Sequence, residues 1–160
     1  MGLINAFIRR LANKGYFKIT TIPKNRVKYA LTPKGAAEKT RLTYKYIQLS
    51  FVFYKESRQK IQRLFLDLTK EGVNRVVLYG ATDLAEIAYI SLYETSIKMA
   101  AVVDDHHNGS RFLGHTVHDS RILLSIVFDK ILITSVDSPE HNIKKMVDIG
   151  IPRNKIVLLR

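Results

Sequence analysis

The sequence predicts a mixed α/β chain in two parts: a basic helix-and-hairpin module leading into a long helix, then a small parallel sheet with helices on both faces. The first observation behind this is the division of charge. Residues 1–70 hold 16 Lys and Arg against 3 Asp and Glu, whereas residues 71–160 hold 10 against 11. A basic half joined to a neutral half points to two tasks, one of them contact with a polyanion. The second observation is a near-heptad apolar seam. Leu42, Tyr46, Leu49, Phe53, Ile61, Leu64 and Leu68 recur on one helical face, with Ser57 filling the wide gap. The third is a change of rhythm after Glu71-Gly72, where short apolar runs alternate with amphipathic segments. Such alternation implies βαβ crossovers and a parallel sheet. The two domains are therefore placed at residues 1–70 and 71–160.

Composition bounds the rest. A chain of 160 residues with 46% hydrophobic content suits two small cores. Cysteine is absent, which excludes a disulfide framework, thiol catalysis and a Cys-based zinc site, and suits a cytoplasmic location. No apolar run reaches the ~18 residues of a membrane span. Residues 1–10 are too short and interrupted for a signal peptide. No membrane partner is expected.

In the basic half, Ile4, Phe7, Ile8 and Leu11 follow helical spacing over residues 3–14, with Lys14 in the last turn and Gly15 at the cap position. Residues 16–22 and 27–32 are rich in β-formers and flank the turn Pro23-Lys24-Asn25-Arg26, a hairpin with a basic tip. Thr32 and Pro33 suit a helix start, and the helix runs to about Lys70. Its stripe needs cover. A homodimer through residues 36–70 is the expectation, and packing on the chain's own domain is the alternative.

In the second half, strands are expected at residues 73–79, 97–103, 130–135 and 155–159. His115 and His118 flank a further short strand, giving four or five in all. Helices are expected from Asp83 to about Tyr93, over 119–127 and over 139–149, with residues 106–114 as a loop.

The stretch Leu11-Ala12-Asn13-Lys14-Gly15-Tyr16-Phe17-Lys18, followed by Tyr29-Ala30-Leu31-Thr32-Pro33-Lys34-Gly35, resembles MarR-type winged-helix transcriptional regulators. It is most similar to the small subgroup associated with exopolysaccharide gene clusters. The resemblance covers roughly residues 2–70 and implies a partial winged helix followed by a long dimerisation helix. It also implies double-stranded DNA as a partner. Helix 3–14 would enter the major groove through Asn5, Arg9, Arg10 and Lys14, and the wing would bring Lys24, Arg26 and Lys28 to the minor groove. Members of that family have about two helices before the reading helix, whereas this chain begins with it. Ile4, Phe7, Ile8 and Leu11 are thus expected to be partly uncovered.

Gly80-Ala81-Thr82-Asp83-Leu84-Ala85 between a strand and a helix, then Asp104-Asp105 after the next strand, follows a Rossmann-like order. Thr82 stands where the second glycine of that fingerprint belongs, and Asp83 is a candidate helix cap. With Phe112-Leu113-Gly114 and Ile131-Leu132-Ile133-Thr134, the region resembles the small Rossmann-like domains of sugar-nucleotide epimerase/dehydratase relatives and CoA-binding proteins. That resemblance implies a nucleotide-type ligand, NAD(H), a sugar nucleotide or CoA, at the C-terminal ends of the strands. Gly80, Ala81, Thr82, Asp83, Leu84, Asp104, Asp105, Thr134 and Ser135 would line its site. A domain that kept the fold and lost its ligand is the competing reading.

No catalytic set stands out. Residues 100–160 contain no tyrosine to form the Tyr-x-x-x-Lys pair of short-chain epimerases, and no nucleophile elbow is present. His106 and His107 beside Asp104 and Asp105 are adjacent loop residues, which rarely converge on one ion, so no metal site is assigned. The expected function is a DNA-binding transcriptional regulator whose Rossmann-like domain senses a nucleotide-type ligand. The alternative is a sugar-nucleotide- or CoA-dependent enzyme fragment with a basic oligomerisation arm, and a third reading is a scaffold with an inactive site.

Overall fold

A computed structural model describes residues 2–23, 26–135 and 137–159. The chain divides into two compact units at Val52/Phe53. The first holds α1 (Gly2–Asn13), the antiparallel hairpin of β1 (Phe17–Ile22) and β2 (Arg26–Leu31), and the first part of α2 (Pro33–Lys70). The second holds the rest of α2 and the sheet.

Glycine ends α1 as the sequence predicts. Gly15 has φ +77, and its N–H bonds to the Ala12 carbonyl at 2.8 Å. Thr32 joins the two ends of the module. Its Oγ1 accepts from the Gly35 N–H at 3.0 Å, capping α2, and donates to the Gly15 carbonyl at 2.6 Å. Gly35 permits this closeness, since a Cβ there would lie 2.1 Å from the Tyr16 carbonyl oxygen. On α1, Ile4 and Phe7 stay 70% and 62% exposed.

The α2 seam has two fates. Leu42, Tyr46, Leu49 and Phe53 are at least half exposed, whereas Ser57, Ile61 and Leu68 are buried in the second unit and Leu64 packs partly buried against its core, beside the fully buried Phe65 that lies off the seam. The division between the two compact units falls inside α2.

The second unit is a six-stranded sheet in the order β5-β6-β4-β3-β7-β8. Its strands are β3 (Arg75–Tyr79), β4 (Lys98–Val103), β5 (Arg111–Phe112), β6 (His115–His118), β7 (Lys130–Ile133) and β8 (Ile156–Leu158). All neighbours run parallel except β5 against β6. This corrects the expected four or five strands, because residues 111–118 form a hairpin, not a loop with one strand. Its two-residue turn is Leu113, φ +45, and Gly114, φ +88, the positive-φ pair of a type I′ connection. Leucine at the first position hides a turn that Asn or Asp usually announces. The expected helix over 119–127 is a shorter 3₁₀ turn, Ser120–Leu124, capped by Asp119 through the Arg121 N–H.

Both faces of the sheet are covered. Val76, Leu78, Val102 and Leu132 pack with Ile61 and Phe65 of α2 and with Ala85 and Ala88 of α3 (Asp83–Leu92). Val77, Tyr79, Val103 and Ile131 point the other way, onto Leu123 of the 3₁₀ turn and Met146 of α4 (Pro139–Asp148). Alternate residues of one strand thus feed two cores, as a doubly covered parallel strand requires. Asp129 fixes the entry to β3, accepting from the Asn74 and Arg75 N–H groups at 2.7 and 2.8 Å.

Candidate functional site

β3 is the first strand of the sheet, with β4 on one side and β7 on the other. Its C-terminal end is therefore a topological switch point, where open α/β sheets leave a crevice. A cleft of about 220 Å³ lies there, bounded by the turns after β3, β4 and β7 and by α4.

The turn after β3 is fastened from both sides. Gly80, with φ +108, donates its N–H to Val103 O at 2.7 Å and receives the Thr134 hydroxyl on its carbonyl at 2.7 Å. A Cβ on Gly80 would sit 2.4 Å from Ser135 N. In this chain the glycine serves close packing against the end of β7. Thr82 Oγ1 donates to the Thr134 carbonyl at 2.6 Å. Thr82, not Asp83, is the cap residue of α3, and its hydroxyl is spent on Thr134, just after β7, and not on the helix.

The two carboxylates after β4 act differently. Asp104 accepts from Ala81 N–H, His106 N–H and His107 Nδ1, each at 3.0 Å, so it holds the turn after β3 to the end of β4. Burial opposes its charge, but the bonds from His107, Ala81 and His106 hold its carboxyl below the usual range. Asp105 accepts from Ser120 N–H at 2.7 Å, Lys145 Nζ at 2.7 Å and the Tyr79 hydroxyl at 3.2 Å. Burial again works against ionisation, and the Lys145 ammonium with the Ser120 N–H outweighs it, holding Asp105 down to about 2. Lys145 is raised in turn, chiefly by its bond to Asp105. Burial and the Asp105 charge push the Tyr79 phenol up.

Of the nine sheet residues singled out from sequence, Gly80, Thr82, Asp104, Asp105 and Ser135 reach the cleft. Thr134 is fully buried beneath it. Ala81 serves as the donor to Asp104, Leu84 packs on the core, and Asp83 is exposed at the start of α3. The rest of the cleft went unread in the sequence, above all Tyr79, Asp137, His141, Asn142 and Lys145. One signal was available: a helix that follows a strand across the switch point presents its first turns to the crevice, and 141, 142 and 145 share a face of α4. Among the described residues no cluster of three or more His, Cys, Asp or Glu is placed to hold a metal ion.

In the first unit, Asn5, Arg9, Arg10, Lys14, Arg26 and Lys28 are exposed. Asn5 and Arg9 lie one turn apart, as do Arg10 and Lys14, whose N–H continues the helix to Arg10 O at 3.1 Å. Lys24 lies outside the described residues. Among those described, none of these cations joins an ion pair. No helix among them is long and apolar enough to cross a membrane.

No curated protein matches the chain. A family model described as C2185-like, N-terminal matches residues 72–157, from just before β3 into β8. That match takes in more than half of the 160 residues, with all of the cleft-bearing sheet except the last residue of β8, and the chain belongs to the C2185-like N-terminal family.

Proposed function

We propose that this protein is a cytoplasmic DNA-binding transcriptional regulator whose sheet domain senses a nucleotide-type ligand. The observation that carries the proposal is the set of cations on α1 and the hairpin that, among the described residues, are exposed and join no ion pair, in a unit with almost no balancing carboxylates. Such a surface gains affinity from phosphates by releasing counterions. The cleft at the switch point supports the sensing half, because it lies where open α/β sheets take their ligands.

Dimerisation through α2 belongs to the same reading and narrows to its first half. From Ser57 onward the seam is consumed by the chain's own sheet. Leu42, Tyr46, Leu49 and Phe53 remain for a second copy. Two reading helices on a dimer would respond to a ligand only through different affinities for two arrangements of the sheets.

One observation favours the enzyme alternative: Tyr79 and Lys145 meet at Asp105 in the cleft although 66 positions separate them. The direction of the Tyr79 shift speaks against it, since a phenol held protonated by burial and a neighbouring carboxylate makes a poor base.

The test is fluorescence anisotropy with a labelled duplex across a salt series. Binding should weaken steeply with salt. The Arg9→Ala/Arg10→Ala double variant should lower the log–log slope by about 1.8, or ~0.9 for each phosphate no longer neutralised. Affinity indifferent to salt and to that replacement sinks the DNA reading.

A further inference from the structure

We infer that the group entering the cleft is a hydroxyl-rich sugar and that Asn142 reads it. This rests on the ligand-sensing reading of the same site.

The lining is unusual. Ligand pockets are mostly apolar with a few placed polar groups. Here the described lining residues include three aspartates, three histidines, Lys145 and Asn142, and no aliphatic side chain. A nucleobase or a pantetheine chain binds largely by burying apolar surface, and here that surface comes from Tyr79 and from the carbon atoms of polar side chains, with no aliphatic side chain among the described lining residues. A sugar hydroxyl both donates and accepts, so it suits a wall where carboxylates only accept and an ammonium only donates. The size agrees: about 220 Å³ falls below the ~300–1,000 Å³ of sites for larger ligands.

Asn142 is the second, independent observation. It is 3% exposed, stands in the cleft wall, and its enclosed Nδ2 has no hydrogen-bond partner. Buried amides are almost always satisfied. One left open beside a cleft marks the point where a ligand oxygen completes the set. Rotating the carboxamide exchanges its nitrogen and oxygen, so either end can be offered to the ligand. Lys145, one turn along α4, brings a cation to the same wall, and the exposed His141 flanks it.

Isothermal titration calorimetry on the full chain tests this. The probes are the 1-phosphates of glucose, galactose and mannose, their nucleoside-diphosphate conjugates, UDP alone, NAD⁺ and coenzyme A. At least one hexose should bind in both forms, and UDP should bind tenfold or more weakly than its hexose conjugate. Asn142→Leu should weaken that binding at least tenfold while its thermal midpoint holds or rises, because an apolar chain of similar size removes the unpartnered amide. His141→Ala, on an exposed residue, should also weaken it and supplies the readout if Asn142→Leu does not fold. A lowered midpoint with unchanged binding assigns Asn142 a structural role and overturns its part. UDP, NAD⁺ or coenzyme A binding as tightly as any hexose conjugate overturns the sugar inference and leaves ligand sensing standing. No binding of any probe overturns both.

Discussion

Lys145 Nζ lies 2.7 Å from Asp105 Oδ2 and ties the middle of α4 to the end of β4 across 40 positions of sequence. The contact is only partly exposed, at 39% and 24% for the two side chains, so it is screened less than a surface pair. Asp105 falls from 3.8 to about 2 in the folded chain. A depressed carboxyl adds stability above its unfolded pKa and loses it as pH falls through the folded one. The window is therefore about pH 4 to 2, and the contribution is at most about 2 kcal/mol, reduced by solvent at Lys145. Lys145→Met should lower the denaturation midpoint at pH 7 and flatten the acid decline. Identical pH profiles for the two proteins would refute the link.

Gly80→Ala should cost about 3 kcal/mol or more. The new Cβ would meet backbone atoms of Ser135 at 2.4 and 2.5 Å, and φ +108 is itself strained for alanine. Chemical denaturation followed by circular dichroism checks this. A loss under 1 kcal/mol would mean that the turn moves freely.

Asp104→Asn separates a structural carboxylate from one reserved for a ligand. Because Asp104 already accepts three bonds, the change should cost about 1–2 kcal/mol with no ligand present. Unchanged stability in urea denaturation would mean the carboxylate is free for a ligand.

The two halves of α2 should behave oppositely. Phe65→Ala empties a fully buried position and should cost about 3–5 kcal/mol. Tyr46→Glu with Leu49→Glu touches only exposed positions and should leave the sheet's unfolding free energy within about 0.5 kcal/mol. The same double variant should convert a dimer to a monomer in light scattering. If wild type is already monomeric at tens of micromolar, the dimer proposal fails.

The sequence by itself determined the order of elements, the basic first half and the parallel character of the sheet. Local rules decide these: Gly15 and Thr32 mark helix ends, and apolar runs of strand length lie between amphipathic segments. It determined that the crevice lies after β3 and β4, since chain order sets the switch point. It did not determine which part of the α2 stripe is buried, because heptad spacing is the same whether the cover is a second copy or the chain's own sheet. The tertiary structure decided that by laying Ile61 and Phe65 on Val76 and Leu78. It also decided the role of Asp104, whose place after the second strand fits a ligand contact equally well but whose oxygens meet Ala81, His106 and His107. Lys145 and Asn142 were beyond sequence reasoning for the same cause. Only the crossover from β7 brings α4 over the cleft, and a contact across 40 residues leaves no periodic trace along the chain.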